Sequence, residues 1–309
     1  MNMMRLSQKE LLIVLCLFSV LRSISFAQHA FFSNFTGSTN SLTHINILSP
    51  PRYGLTKRGE TLAFLPYTGF NMSSKNKITF LKPQTPVIVT GELDFAPFYY
   101  VETDLVQGFL KKENIYFVNE ETFTTFIEMK KVILKKAFQH DGITYPIATQ
   151  LPIIAKNGKK YKVRIAKDDS FKDIWLDATY ATEPLLINYN NLKSVTRFFL
   201  NKPYKWGNSE NGWDCSGLLV DFFSFFDVKL PRNSYQQISY ITQIDVSEKS
   251  IKQKELILKK SKPYLTLLYF PGHIMLYTGK NGREFISFQA LNRIGNKRFA
   301  KVNYFPLKR

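Results

Sequence analysis

Trp213-Asp214-Cys215-Ser216-Gly217-Leu218-Leu219-Val220-Asp221-Phe222-Phe223-Ser224-Phe225-Phe226 sets one cysteine at the head of an apolar helix. From Ser216 to Phe226 the residues Leu218, Leu219, Phe222, Phe223 and Phe226 recur at helical spacing and share one broad face. A sulfur at that helix start sits among N–H groups without intrahelical partners, which favours thiolate over thiol. A free thiol titrates near about 8.5, and such a position or an imidazolium neighbour lowers it by one to several units. Taken alone, the same cysteine would serve equally as inert buried packing, so the rest of the chain must supply a base.

Downstream, strands are expected over Tyr264–Phe270, His273–Thr278 and Glu284–Gln289, the last two joined through Gly279-Lys280-Asn281-Gly282. His273 opens its strand after Pro271-Gly272, in a hairpin able to lie against the cysteine helix, so its imidazole is the candidate base. A three-residue hairpin loop puts Gln289 opposite His273, and a loop shorter or longer by one residue puts Ala290 or Phe288 there. The Gln289 amide oxygen could then accept the imidazole N–H and fix its tautomer. The other histidines offer less: His29 and His44 fall in a polar arm, and His140 in a turn-like His-Asp-Gly. Further helices are expected over Leu192–Leu200, Ser234–Ile241 and Ile251–Leu258, so the stretch from residue 191 to 309 reads as one α+β domain.

Upstream the texture is all-β. Residues 52–119 carry short apolar runs such as Val87-Ile88-Val89 and Phe98-Tyr99-Tyr100-Val101, and residues 120–190 carry Lys131-Val132-Ile133-Leu134 and a hairpin signal at Asn157-Gly158. Two small β domains in tandem are expected. Residues 28–51, rich in Ser, Thr and Asn and ending in Pro50-Pro51, read as a linker or arm. Residues 1–27 have the layout of an export signal: Arg5 and Lys9, then the apolar Leu11–Ile24, then Ser25-Phe26-Ala27 before a cleavage point at Gln28. The apolar run is short for a membrane span and contains Arg22, so no stable membrane anchor is expected.

Cleavage removes Cys16 and leaves Cys215 as the sole thiol, so no intramolecular disulfide can form. It also takes Arg5, Lys9, Arg22 and Glu10, lowering the formal charge from +18 to +16. A strongly basic exported protein is drawn to polyanions, and nucleic acid, anionic lipid and acidic cell-wall polymers all qualify on charge alone. The lysines and arginines are dispersed and carry no nucleic-acid-binding signature, so no nucleic acid partner is expected. With 309 residues, 44% of them apolar and 21% charged, the chain can bury genuine cores, which excludes wholesale disorder. One cysteine and one well-placed histidine do not make a metal ligand set, and no cofactor is expected.

Four blocks in order resemble NlpC-type cysteine peptidases: Asn201-Lys-Pro-Tyr-Lys-Trp-Gly207, Asp214-Cys-Ser-Gly-Leu218, Leu230-Pro-Arg-Asn-Ser-Tyr-Gln-Gln237 and Pro271-Gly-His-Ile-Met-Leu-Tyr277. The run Leu265-Thr-Leu-Leu-Tyr-Phe-Pro-Gly-His-Ile-Met275 is similar to a branch whose members carry two bacterial SH3-like domains before the peptidase. The resemblance implies a papain-like α+β domain at the C-terminus, preceded by two small all-β SH3-like barrels. It implies a peptidoglycan hydrolase that cuts stem peptides, typically between D-γ-glutamate and a diamino acid such as diaminopimelate; with the export signal, a periplasmic or cell-wall location is expected, with a monomer as the default.

By the matched blocks, Cys215 is the nucleophile and His273 the base, and Tyr204 an oxyanion or substrate contact. Asp214 and Ser216 resemble a substrate-binding pair, with Asp214 suited to a free ammonium or, alternatively, to capping its helix; Arg232 and Ser234 match a Pro-Arg-x-Ser block and are read as structural first and as supporting the site second. Family members often place a histidine third, where this chain has Gln289, which puts the rate in question more than the reaction class. Two other readings stand beside this one: a wall-binding module whose thiol site has decayed, and a thiol-dependent amidase or acyltransferase.

Overall fold

The computed structural model describes residues 12–15, 45–64, 76–94, 96–167, 170–239 and 241–307. Most of the expected leader and arm lies outside them.

The first β unit is a seven-stranded antiparallel sheet, ordered Lys77–Leu81, Glu60–Ala63, Gln107–Lys111, Phe98–Glu102, Pro86–Leu93, Ile45–Thr56, Ile115–Val118. Pro86–Leu93 shows the cause: Val87, Val89 and Leu93 are buried at period two while their neighbours are half-exposed. The strand at Ile45–Thr56 starts inside the stretch expected to be an arm. A register shift between Ile47 and Arg52 carries Pro50-Pro51 out of the ladder, so no ladder donor is lost.

A helix, Glu120–Glu128, follows where strands are expected. Asn119 caps it, accepting the Thr122 N–H at 2.8 Å, and Phe123 and Phe126 bury one face. Beyond it a five-stranded sheet runs Ser170–Asp177, Lys160–Lys167, Gln150–Asn157, Lys131–Leu134, Ala181–Thr182. Asn157 pairs with Lys160 across Gly158-Lys159, and Gly158 takes φ +54°, the left-handed conformation that this tight turn requires.

The C-terminal unit has helices at Tyr189–Phe199, Cys215–Ser224, Ser234–Ser239 and Ile251–Lys260 around a six-stranded sheet. Its order is Gln243–Asp245, Leu12–Leu15, Thr266–Phe270, His273–Asn281, Glu284–Ile294, Lys297–Leu307. The cysteine helix packs Leu218, Leu219, Phe222 and Phe223 among Ile274, Leu276, Phe288 and Ala290, whereas Met275, Tyr277 and Phe285 belong to a second core with Leu258. Alternate residues of the two central strands thus feed different cores. The strand Lys297–Leu307 adds to the expected set: Ile294 pairs with Lys297 across Gly295-Asn296. Leu12–Leu15 lies in the stretch expected to be removed on export. Without it Gln243–Asp245 has no sheet partner among the described residues, and Thr266–Phe270 becomes a sheet edge.

Candidate active site

Cys215 is the first residue of its helix and is 7% exposed. The backbone N–H groups of Ser216 and Ile274 act on its sulfur and favour the thiolate. The second of these seats the thiol against the strand that carries His273, one residue away. Burial pushes the Cys215 thiol up to about 11, the Asp214 charge adds to the rise, and the two N–H groups and Arg232 only partly oppose it. The low thiol pKa expected from the helix start is therefore corrected, because desolvation outweighs the partial charge of the helix end.

Burial also holds the His273 imidazole below its usual 6.5, against the Gln289 hydrogen bond and the Asp214 charge, which raise it. Both shifts favour the uncharged forms, thiol at Cys215 and neutral imidazole at His273, at neutral pH. Catalysis through this pair is expected to lose kcat/KM as pH falls, since imidazolium cannot take the thiol proton, with the midpoint below pH 6.5. No alkaline limb from the thiol is expected until pH approaches about 11. A kcat/KM profile that breaks above pH 7 on its acid side would contradict this assignment.

His273 Nε2 lies 2.6 Å from Gln289 Oε1. Of the loop lengths left open by the sequence, the two-residue one is found. The hairpin closes through Gly282-Arg283, with Asn281 opposite Glu284, and a register shift between Tyr277 and Gly279 then sets Leu276 opposite Phe288. Extending that register puts Gln289 diagonal to His273 on the same face of the strand pair, a span that a long side chain can close.

Asp214 is the N-cap of the cysteine helix: its Oδ1 accepts the Gly217 N–H at 2.8 Å, and its Oδ2 accepts the Gly207 N–H at 2.8 Å. Arg232 forks onto the same carboxylate, with Nη2 2.6 Å from Oδ2 and Nη1 3.2 Å from Oδ1, and its Nη1 also donates to Ser216 Oγ at 2.9 Å. The structure therefore does not present Asp214 and Ser216 as an open pair for a ligand ammonium. Both carboxylate oxygens are occupied and the charge is neutralised by a buried cation. Arg232 thus braces the start of the cysteine helix, while Ser234 opens the short helix Ser234–Ser239 and is half-buried. Tyr204 is half-buried, and burial together with Cys215 and Asp214 holds its phenol well above the usual 10, so it stays a hydrogen-bond donor beside the thiol.

Several residues that sequence reasoning does not single out complete the arrangement. Asn208 Oδ1 accepts the Asp214 N–H at 3.0 Å, and a Cβ on Gly217 would come within 2.2 Å of that side chain, so the helix start requires glycine there. Gln237 donates to the Ser216 and Pro231 carbonyls at 3.0 and 2.8 Å. The first β unit also reaches in: Thr79 Oγ1 accepts Arg232 Nε at 2.8 Å, Phe80 N–H donates to the Gly207 carbonyl at 2.7 Å, and Lys77 Nζ donates to the Asn208 carbonyl. Lys82 pairs at 2.6 Å with buried Asp221, which also accepts from Trp213 Nε1 at 2.7 Å.

A cavity of about 550 Å³ lies elsewhere, lined by residues including Lys57, Arg58, Glu113, Asp141 and Lys167, and contains none of the expected site residues. Its Arg58 and Lys167 are paired with Glu113 and Asp141. Among the described residues no three His, Cys, Asp or Glu side chains converge as a metal ligand set, and no helix is long and apolar enough to cross a membrane.

Residues 201–300 match the model of the NlpC/P60 family. Among solved structures, an NlpC/P60 endopeptidase from Photobacterium damselae subsp. piscicida is 19% identical with a TM-score of 0.65, and the match covers 82% of this chain and 66% of that one. An NlpC/P60 family protein from Bacillus cereus ATCC 10987 is 14% identical with a TM-score of 0.62, over 82% of this chain and 94% of that one. At these identities the likeness is one of fold. No curated protein sequence matches the chain.

Proposed function

We propose that this chain, whose residues 201–300 form an NlpC/P60 domain, is an exported cysteine endopeptidase that cuts peptidoglycan stem peptides between D-γ-glutamate and a diamino acid such as diaminopimelate. The observation that carries this reading is the Cys215 thiol, seated at a helix start against the backbone next to His273, whose far nitrogen is engaged by Gln289. As Cys215 Sγ attacks the scissile carbonyl, its proton passes to His273, and the Tyr204 phenol donates to the developing oxyanion. The imidazolium then gives that proton to the departing amine, leaving a thioester. Water, deprotonated by His273, resolves the thioester to a free carboxylate and returns the thiol.

Export is supported by the charge and apolar pattern of residues 1–27, and the periplasm or cell wall is the proposed location. The net positive charge suits an anionic wall polymer, and the two β-rich units provide surface for holding it.

Mapping of new termini tests the reading. Purified muropeptides incubated with the mature chain are expected to give, by mass spectrometry, fragments ending in D-glutamate and fragments starting with the diamino acid. Cleavage between sugar and peptide would instead identify an amidase. Sedimentation with intact wall and no new termini would identify a binding protein.

A further inference from the structure

We propose that Ser287 is a positioning residue whose hydroxyl, acting through the Gln289 amide, dictates which nitrogen of His273 carries the proton. The inference rests on the catalytic reading above and deepens it.

Three contacts run in line. Gln289 Oε1 lies 2.6 Å from His273 Nε2, Gln289 Nε2 lies 2.9 Å from Ser287 Oγ, and Ser287 Oγ lies 3.2 Å from the Phe305 carbonyl oxygen on the adjacent strand. The last member is a backbone carbonyl and can only accept. A serine hydroxyl has a single hydrogen, and Ser287 gives it to Phe305, so towards Gln289 it can only accept. The amide must therefore turn its NH2 to Ser287 and its oxygen to His273. An amide oxygen accepts too, so Nε2 must carry the hydrogen, and a neutral ring then has its lone pair on Nδ1. Nδ1 is the nitrogen left to take the thiol proton.

Direction matters here because the third residue is an amide. A carboxylate accepts at both ends, whereas a glutamine turned by half a rotation would offer NH2 to Nε2 and drive the ring to the opposite tautomer. That tautomer carries its hydrogen on Nδ1, which then has no lone pair with which to take the thiol proton. Ser287 and Gln289 are 0% and 1% exposed, so solvent does not compete for these groups and the strand partner alone sets their polarity.

The test is the tautomer itself, read by nitrogen-15 NMR on histidine-labelled protein; the chain has only four histidines to assign. The unmodified protein is expected to show His273 with Nε2 protonated. Ser287→Ala is expected to mix in the Nδ1-protonated form and to lower kcat between about ten- and a hundredfold with KM unchanged. In the double variant Ser287→Ala with Gln289→Glu, the carboxylate needs no direction, and the Nε2-protonated form is expected to return.

Retention of pure Nε2–H in Ser287→Ala overturns the proposal, as does its loss in a folded double variant. If Ser287→Ala does not fold, the double variant decides; if neither folds, the hydroxyl serves the sheet and the proposal fails. Because the tautomer is measured without substrate, failure of the chain to cut muropeptides would sink the peptidase reading and leave this result standing.

Discussion

Cys215→Ala is expected to lower the rate of stem-peptide cleavage by about six orders of magnitude, to the level left by substrate binding and oxyanion donors alone. The size follows from the mechanism. Without the thiol no covalent intermediate forms, and water would have to be placed and deprotonated in a site shaped around a buried cysteine. His273→Ala should cost nearly as much, and the double variant little more than either single change, because nucleophile and base act as one unit. Binding to intact wall should be unchanged in all three. Quantitative release of labelled amine from muropeptides measures the effect. A residual rate above about one part in a thousand in Cys215→Ala would mean that another group performs the chemistry.

Arg232→Met is expected to destabilise the protein by about 3–5 kcal/mol, seen as a lower midpoint in urea. The Asp214–Arg232 pair is buried, with side-chain exposures of 6% and 8%, so removing the cation strands a carboxylate away from water. The same guanidinium also serves Ser216 and Thr79, and both lose a donor. Arg232→Lys should recover only part of the loss, since an ammonium cannot reproduce a fork that reaches three partners. Combining Arg232→Met with Asp214→Asn should cost less than the sum of the two, because the stranded charge is gone. Strict additivity would show that the two residues act independently and that the pair does not organise the helix start.

The parts of this site that were legible in the chain are those whose causes are local. The cysteine at a helix head follows from the Asp214 cap and the apolar spacing of Leu218, Leu219, Phe222 and Phe223. The helix at Glu120–Glu128 is equally local, with Asn119 as its cap, but the surrounding strand texture masks a segment of only nine residues. Polar residues after Gln289 likewise break the alternation that would announce the strand Lys297–Leu307, and only Gly295-Asn296 signals it.

What escapes the sequence is tertiary. The partner of Arg232 at Thr79 is 153 residues away, and no local pattern joins them. The hairpin that brings Gln289 to His273 depends on an irregularity between Tyr277 and Gly279, which no turn rule supplies. The thiol pKa turns on how deeply Cys215 is buried, a property of the packed domain rather than of the helix that begins with it.

The strand Lys77–Leu81 carries a consequence for how such proteins can be rearranged. Through Thr79, Phe80 and Lys77 it holds Arg232 and the backbone of Gly207 and Asn208, and Lys82 just beyond it neutralises Asp221 inside the cysteine helix. The β unit is thus a wall of the candidate site rather than a bead on a string. Grafting residues 191–309 alone onto a new carrier would leave Arg232 without Thr79 and Asp221 without Lys82, so the first β unit and the C-terminal unit are expected to be inherited together, with the second β unit carried between them.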